Sequence, residues 1–187
     1  LRIKTSIAAL FFCLCAIYPA PPSKAQPQIT LELDKPVERQ IKGGETHFYL
    51  GRRYRLHVRK TSDVPSSAKL VRGRIEVIVR VADQAAIKRR LKQWYHVRAQ
   101  DYFQRRLAEI SAGLGWLTAM PPMKIVRMEQ QWGSCSPSGS INLNPALIRA
   151  PRHCIDYVLL HELCHLKEHN HSKRFYALLQ RHDPNWI

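Results

Sequence analysis

The pattern His161-Glu-Xaa-Xaa-His165 constrains this chain more than any other feature of its sequence. Apolar residues recur at helical spacing through residues 155–166, which predicts a partly buried helix that carries both histidines. Because His161 and His165 are four residues apart, their imidazoles lie one turn apart on the same face and can bind one ion. Glu162 lies about 100° around the helix from His161, where its carboxylate can reach a water molecule without becoming a ligand. The pattern therefore predicts one Zn²⁺ per chain, with Glu162 as general base.

A catalytic zinc site needs a third protein ligand, and three residues downstream compete for that position. If the helix continues straight, His169 lies about 6 Å along the axis from His165, too far to converge on the same ion. Ser172 can cap a following helix, so the chain can turn before it and direct His171 back toward the metal. Spacing therefore favours His171 as the third ligand, with Glu168 and His169 as the alternatives.

Strand patterns precede the metal-binding segment. Apolar and polar residues alternate over 54–58 and again over 75–81, which is the period-2 pattern of half-buried strands, and we expect the two strands to be antiparallel. A third strand is expected at 124–129. Residues 136–139 are strong turn formers, and a short alternating segment follows at 140–144, so this part of the chain predicts a hairpin.

A long basic amphipathic helix is predicted at residues 84–112. The whole chain has 30 Lys and Arg against 14 Asp and Glu, a net charge of +16, so its surface attracts polyanions. Nucleic acid bound through helix 84–112 is thus a candidate partner. A solvated basic face is the more ordinary explanation of such a charge run.

The charge keeps a second class of function open, a zinc-stabilised module that binds nucleic acid and has no peptidase activity. Glu162 argues against this alternative, because a structural zinc site needs no base and usually fills all four positions with Cys or His. The sequence thus favours a zinc-dependent hydrolase of peptide bonds over a binding module.

The first 26 residues resemble a secretory signal peptide. Basic residues precede an apolar run at 7–17, and small residues follow at 23–25, although the chain opens with Leu1, so a spurious N-terminus is the alternative. The apolar run is too short to span a bilayer as a helix, so no stable membrane span is predicted. Residues 27–44 are polar and are expected to form a linker or an incomplete β edge.

Three segments of the sequence resemble one protein family. They are WGSC at 132–135, SINLN at 140–144 and DYVLLHELCHLKEHNHSKRFY at 156–176. Together they look like the YgjP-like metallopeptidase domain, a relative of SprT-like and gluzincin-type zinc peptidases. With the looser match of YLGR at 49–52, the resemblance supports a metallopeptidase domain over residues 45–187.

The resemblance implies an α+β fold of the minimal zincin type. In such a fold a small antiparallel or mixed sheet packs on a long helix and on the helix that carries the HExxH pattern. It also implies zinc on His161, His165 and the histidine of the NHS sequence, which is His171 here. A cytoplasmic location follows from the family, whereas a genuine signal segment would mean export to the periplasm or beyond.

The family resemblance also suggests how a peptide or protein substrate is held. Zincins commonly add the substrate to an edge strand of the sheet, and SINLN is the candidate strand. The WGSC segment would then shape the cleft, or else form a tight structural turn. Tyr157 and Tyr176 are candidates for stabilising the oxyanion. The expected substrate-binding residues are Trp132, Gly133, Ser134, Ile141, Asn142 and Leu143.

Overall fold

The computed structural model describes residues 43–81 and 83–184. Its elements, in chain order, are β1 (Thr46–Tyr49), β2 (Arg52–Lys60), β3 (Ser67–Val71), β4 (Arg74–Val79), α1 (Gln84–Ala112), β5 (Met123–Ile125), β6 (Gly133–Cys135), β7 (Ile141–Leu143), a 3-10 helix (Pro145–Arg149), α2 (Arg152–Cys164) and α3 (Lys173–His182). The fold is α+β with small mixed sheets, as predicted. The signal-like segment 1–26, and all but the last two residues of the segment 27–44, lie outside the described residues.

The first sheet has the strand order β1-β2-β4-β3. The two strands expected from alternation are present as β2 and β4, but they pair in parallel, with Leu56 opposite Ile75. The expected antiparallel pairing is therefore wrong. The physical reason is β3, which was not predicted: it runs antiparallel to β4, so the chain reverses direction twice between β2 and β4.

Helix α1 packs against this sheet and spans the residues predicted for it. Its buried positions recur about every four residues, so one continuous stripe faces the core. Asp83 caps the start of the helix, and its Oδ1 accepts a hydrogen bond from the Ala86 N–H at 2.6 Å. Its main buried residues are Ile87, Leu91, Trp94, Tyr95, Ala99, Phe103 and Leu107.

The second sheet has the order β5-β7-β6 and lies next to α2. Strand β7 is its central strand, parallel to β5 and antiparallel to β6. The predicted hairpin is present, but its first strand is Gly133–Cys135, and β5 is shorter than the strand predicted at 124–129. The edge role expected for SINLN is wrong, because β7 is paired on both sides and Ile141 and Leu143 are fully buried.

A bidentate ion pair ties α1 to α2. Arg106 Nε donates to Asp156 Oδ1 at 2.6 Å, and its Nη2 donates to Asp156 Oδ2 at 3.0 Å. A further Nη1 hydrogen bond reaches Glu109 at 2.6 Å, so this guanidinium of the basic helix is held by two carboxylates. Arg106 therefore links the long helix to the helix that carries the HExxH pattern.

Arg106→Ala is expected to lower the free energy of unfolding by about 1–2 kcal/mol, since hydrogen bonds between charged groups stabilise more than neutral ones. The low end applies because the Arg106 and Asp156 side chains are 36% and 28% exposed, so solvent screens the pair. Chemical denaturation measures the change. Arg89→Ala removes an exposed arginine from the same helix and serves as control; equal losses in both variants would contradict the link.

Candidate metal centre

The histidines of the HExxH pattern lie at the C-terminal end of α2, which stops earlier than the sequence suggests. The helix ends at Cys164, and bonds from Leu166 N–H to Leu163 C=O and from Lys167 N–H to Cys164 C=O tighten the chain just beyond it. Ser172 then caps α3, its Oγ accepting from the Phe175 N–H. The chain therefore turns sharply between the two helices, and His171 returns toward α2.

The Nε2 atoms of three histidines meet at this turn. His161 Nε2 lies 3.2 Å from His165 Nε2 and 2.9 Å from His171 Nε2. Of the acidic, His and Cys groups in the described residues, this trio is the one whose ligand atoms converge, all within 4.8 Å. The structure thus brings together the three histidines that sequence spacing favoured.

This donor set fits a tetrahedral zinc ion. Zinc–imidazole bonds of about 2.0–2.1 Å put two ligands of a tetrahedron about 3.3–3.4 Å apart. The His161 nitrogen lies 3.2 Å from that of His165 and 2.9 Å from that of His171, so small ring movements would reach this geometry. Burial lowers the pKa of His161 well below its ordinary value, that of His165 to about 4, and that of His171 as well. All three imidazoles are therefore neutral at pH 7, with lone pairs available to a metal.

The surrounding groups orient the rings so that Nε2 faces the centre. His165 Nδ1–H donates to the backbone carbonyl of Glu168 at 3.1 Å, which fixes its tautomer. His161 Nδ1 lies 3.4 Å from the phenol oxygen of Tyr157. The ring of Tyr176 stacks on His171 with centroids 6.2 Å apart. The oxyanion role suggested for the two tyrosines stays a prediction.

The two alternative third ligands point elsewhere. The Glu168 carboxylate accepts from Arg174 Nη2 at 2.8 Å, and its contribution to the centre is the backbone carbonyl that supports His165. His169 is exposed and lies outside the converging group, on the wall of a neighbouring pocket that Cys135 and His165 also line. Geometry therefore favours His171 over both.

Phe175 forms an apolar floor under the centre, a role that sequence analysis missed. Its ring is fully buried, and its centroid lies 4.8 Å from His161, 4.6 Å from His165 and 4.8 Å from His171. The ring occupies space beneath the imidazoles and excludes water from that side. The available signal was its position, three residues after the helix cap at Ser172, on the inner face of α3.

Glu162 is 1% exposed, and its side chain lies against Gly133 of β6. The backbone N–H of Cys135 donates to its carboxylate, while Oε2 has no hydrogen-bond partner within the described residues. Burial raises the pKa of Glu162 to about 8. A group whose pKa lies close to neutral pH, with one oxygen that has no partner among the described residues, is suited to exchange a proton.

Strand β6 is the open edge of the second sheet. Asn144 N–H donates to Trp132 C=O and Ser136 N–H donates to Ser140 C=O, so the even-numbered residues of this segment pair with β7. Backbone groups alternate between the two edges of a strand, so those of Gly133 and Cys135 point to the other side. No strand in the described part of the chain pairs with that side.

The other residues expected to bind substrate take part in the packing and pairing of the sheet, and their substrate role stays a prediction. Trp132 is half-buried and packs against the core, and Asn142 Nδ2 donates to Ser134 Oγ at 3.3 Å across the β6–β7 pair. Of the predicted substrate-binding residues, only Gly133 both lies next to Glu162 and directs its backbone N–H and C=O toward the open edge of β6.

Comparison with known families agrees with this geometry. A family model described as YgjP-like, metallopeptidase domain, matches residues 24–187. The chain belongs to the YgjP-like family. It is therefore a metallopeptidase domain, and its family implies a metal cofactor. The predicted boundary of this YgjP-like domain at residue 45 stays a prediction.

Two solved structures resemble this YgjP-like chain in part. One is the metallopeptidase zymogen of Pyrococcus abyssi abylysin, 26% identical, with a TM-score of 0.39, covering 42% of this chain and 77% of that chain. The other is the metallopeptidase zymogen of Methanocaldococcus jannaschii jannalysin, 25% identical, with a TM-score of 0.39, covering 42% and 79%. No curated protein matches the sequence.

Proposed function

We propose that this chain is a zinc peptidase that hydrolyses peptide bonds with Glu162 as general base. The observation that carries the proposal is the convergence of three neutral imidazole nitrogens beside a buried carboxylate at the open edge of a sheet. Three protein ligands leave a fourth position for water or substrate, which is the arrangement of catalytic rather than structural zinc.

His161, His165 and His171 would hold the ion through Nε2. A zinc ion bound there supplies Lewis acidity, which lowers the pKa of a water molecule toward 7 and polarises a peptide carbonyl. The Glu168 carbonyl and the Phe175 ring keep the His165 imidazole in one orientation. The chain itself would thus contribute three ligands that are held in fixed orientations and partly shielded from water.

Glu162 would take the proton of the attacking water and deliver it to the leaving amine. Its Oε2 is the atom available for this transfer, because the Cys135 N–H already donates to the carboxylate and Oε2 has no partner among the described residues. The carboxylate belongs to α2 and is enclosed by β6, so it stays fixed while the proton moves.

An extended peptide would pair with the open edge of β6. Gly133 offers an N–H and a C=O there, and Cys135 offers a C=O, while the Cys135 N–H is engaged by Glu162. Backbone hydrogen bonds of this kind hold a peptide without reading its side chains. A peptide in this position passes beside Glu162 and the histidine cluster.

Metal removal tests the proposal. Dialysis against a chelator is expected to abolish cleavage of an unfolded protein substrate, and stoichiometric Zn²⁺ is expected to restore it. The reason is that only the bound ion would polarise the peptide carbonyl and activate the water. Elemental analysis and a cleavage assay on the same samples measure both. Cleavage that persists in metal-free protein would contradict a zinc mechanism.

The nucleic-acid alternative stays a prediction. Arg106, one of its basic residues, is bound by Asp156 and Glu109, and the Arg98 guanidinium carbon lies 5.9 Å from the centre of the Trp94 ring. The family and the centre both point to a peptide substrate.

In the described residues no helix is both long and apolar enough to cross a membrane.

A further inference from the structure

The close approach of β6 to α2 depends on one glycine. A Cβ built on Gly133 would lie 2.6 Å from Glu162 Oε1, 2.7 Å from its Cγ and 2.9 Å from its Cδ. Carbon atoms do not approach side-chain atoms this closely, because repulsion rises steeply below van der Waals contact. Any residue other than glycine at this position would therefore have to displace Glu162 or separate β6 from α2.

The backbone conformation of Gly133 does not itself require glycine. Gly44, Gly51, Gly73 and Gly139 have positive φ angles, where a side chain is strained, but Gly133 is not among the described residues with positive φ. Gly133 is the first residue of β6 and pairs with Leu143 in a regular antiparallel register. What its position requires is the absence of a side chain.

Glu162 cannot easily move aside to make room. It is 1% exposed, so its carboxylate is not the free end of a surface side chain, and the Cys135 N–H donates to it from the same strand. Gly133 and Cys135 are two residues apart and share one edge of β6. The missing side chain leaves the space, and the amide fixes the carboxylate within it.

We propose that Gly133 is a positioning residue for Glu162: the space left by its missing side chain, closed by the Cys135 amide, sets where the carboxylate lies beside the metal centre. The space is a steric feature of the fold. Its catalytic consequence rests on the proposed function of Glu162 as base.

A stability cycle tests the steric part without any activity assay. Gly133→Ala is expected to lower the midpoint of thermal unfolding by several degrees in the wild-type background. In the Glu162→Ala background the drop should nearly vanish, because that change removes the carboxylate carbon, Cγ and both oxygens, which include all three atoms that the new methyl group would meet. Equal drops in both backgrounds would overturn the proposal. If Gly133→Ala alone does not fold, folding of the double variant supports it.

An activity measurement tests the catalytic part. Gly133→Ala should retain bound zinc, while kcat falls about 10²-fold, the cost of misplacing a catalytic group by about 1 Å. KM should change much less than kcat, because alanine keeps the backbone N–H and C=O that the substrate would pair with. Gly115→Ala is the matched control, since a Cβ there meets nothing within 4 Å, and it should keep full activity. A zinc-loaded Gly133→Ala protein with wild-type kcat would overturn the positioning role.

The two experiments separate this proposal from the proposed function. If the wild type cleaves and Glu162→Gln does not, yet Gly133→Ala cleaves normally, the positioning role fails and the peptidase stands. If the wild type cleaves nothing under any metal loading, the peptidase proposal fails, and the unfolding cycle still decides whether Gly133 makes room for Glu162.

Discussion

Glu162→Gln is expected to reduce kcat by roughly 10²–10⁴-fold, the range that a positioned general base contributes, while the protein binds zinc as the wild type does. Glutamine has nearly the shape of glutamate, so it fits the same space against Gly133 and can still accept from the Cys135 N–H. It cannot take a proton from water at neutral pH. The change therefore removes the proposed chemistry and leaves the packing of α2 on β6.

Steady-state cleavage of an unfolded protein and elemental analysis of the same preparations measure this. Glu129→Gln makes the same chemical change at an exposed position and should leave both quantities unchanged. If Glu162→Gln cleaves at the wild-type rate, another group is the base. If it loses zinc, Glu162 contributes to metal binding.

Much of this architecture is predictable because helices leave a strong periodic signal. The apolar positions at 3.6-residue spacing predict a helix over the residues that α1 occupies. The four-residue interval between His161 and His165 predicts that both lie on one face of α2. The choice of His171 followed from the cap at Ser172, although α2 ends five residues earlier than a helix running through His169 would. Local chemistry was enough to identify these residues.

The sheets were predicted less well, because strand pairing is decided by contacts that are distant in sequence. Strand β3 alternates polar and apolar residues only from Ser67 to Leu70, a pattern too short to stand out, so the parallel pairing of β2 and β4 was not predicted. Strand β6 is three residues long, and its sequence suggested a turn. Its role appears only once α2 lies against it. Phe175 was missed for a related reason: its position after the Ser172 cap predicts a buried residue, but its contact with the three imidazoles depends on how α3 packs against α2.

His171→Ala is expected to lose most of its zinc on dialysis and most of its activity with it. His171 Nε2 lies 2.9 Å from His161 Nε2, so its removal leaves two ligands from one helix, and such a pair binds zinc far more weakly than three converging imidazoles. Its side chain is exposed at the start of α3, so the change creates no buried cavity, and the fold should persist in the metal-free protein.

His169→Ala is the matched control, two residues away on the same turn and outside the converging group, and it should keep its zinc. Glu168→Ala should also keep it, because the carbonyl that orients His165 belongs to the backbone and the lost ion pair involves Arg174, whose side chain is 82% exposed. Zinc per chain, measured after identical dialysis of all three variants and the wild type, distinguishes the candidates. If His171→Ala retains zinc while His169→Ala or Glu168→Ala loses it, the residue whose change removes the zinc is the third ligand, since only the loss of a direct ligand is expected to weaken zinc binding so strongly.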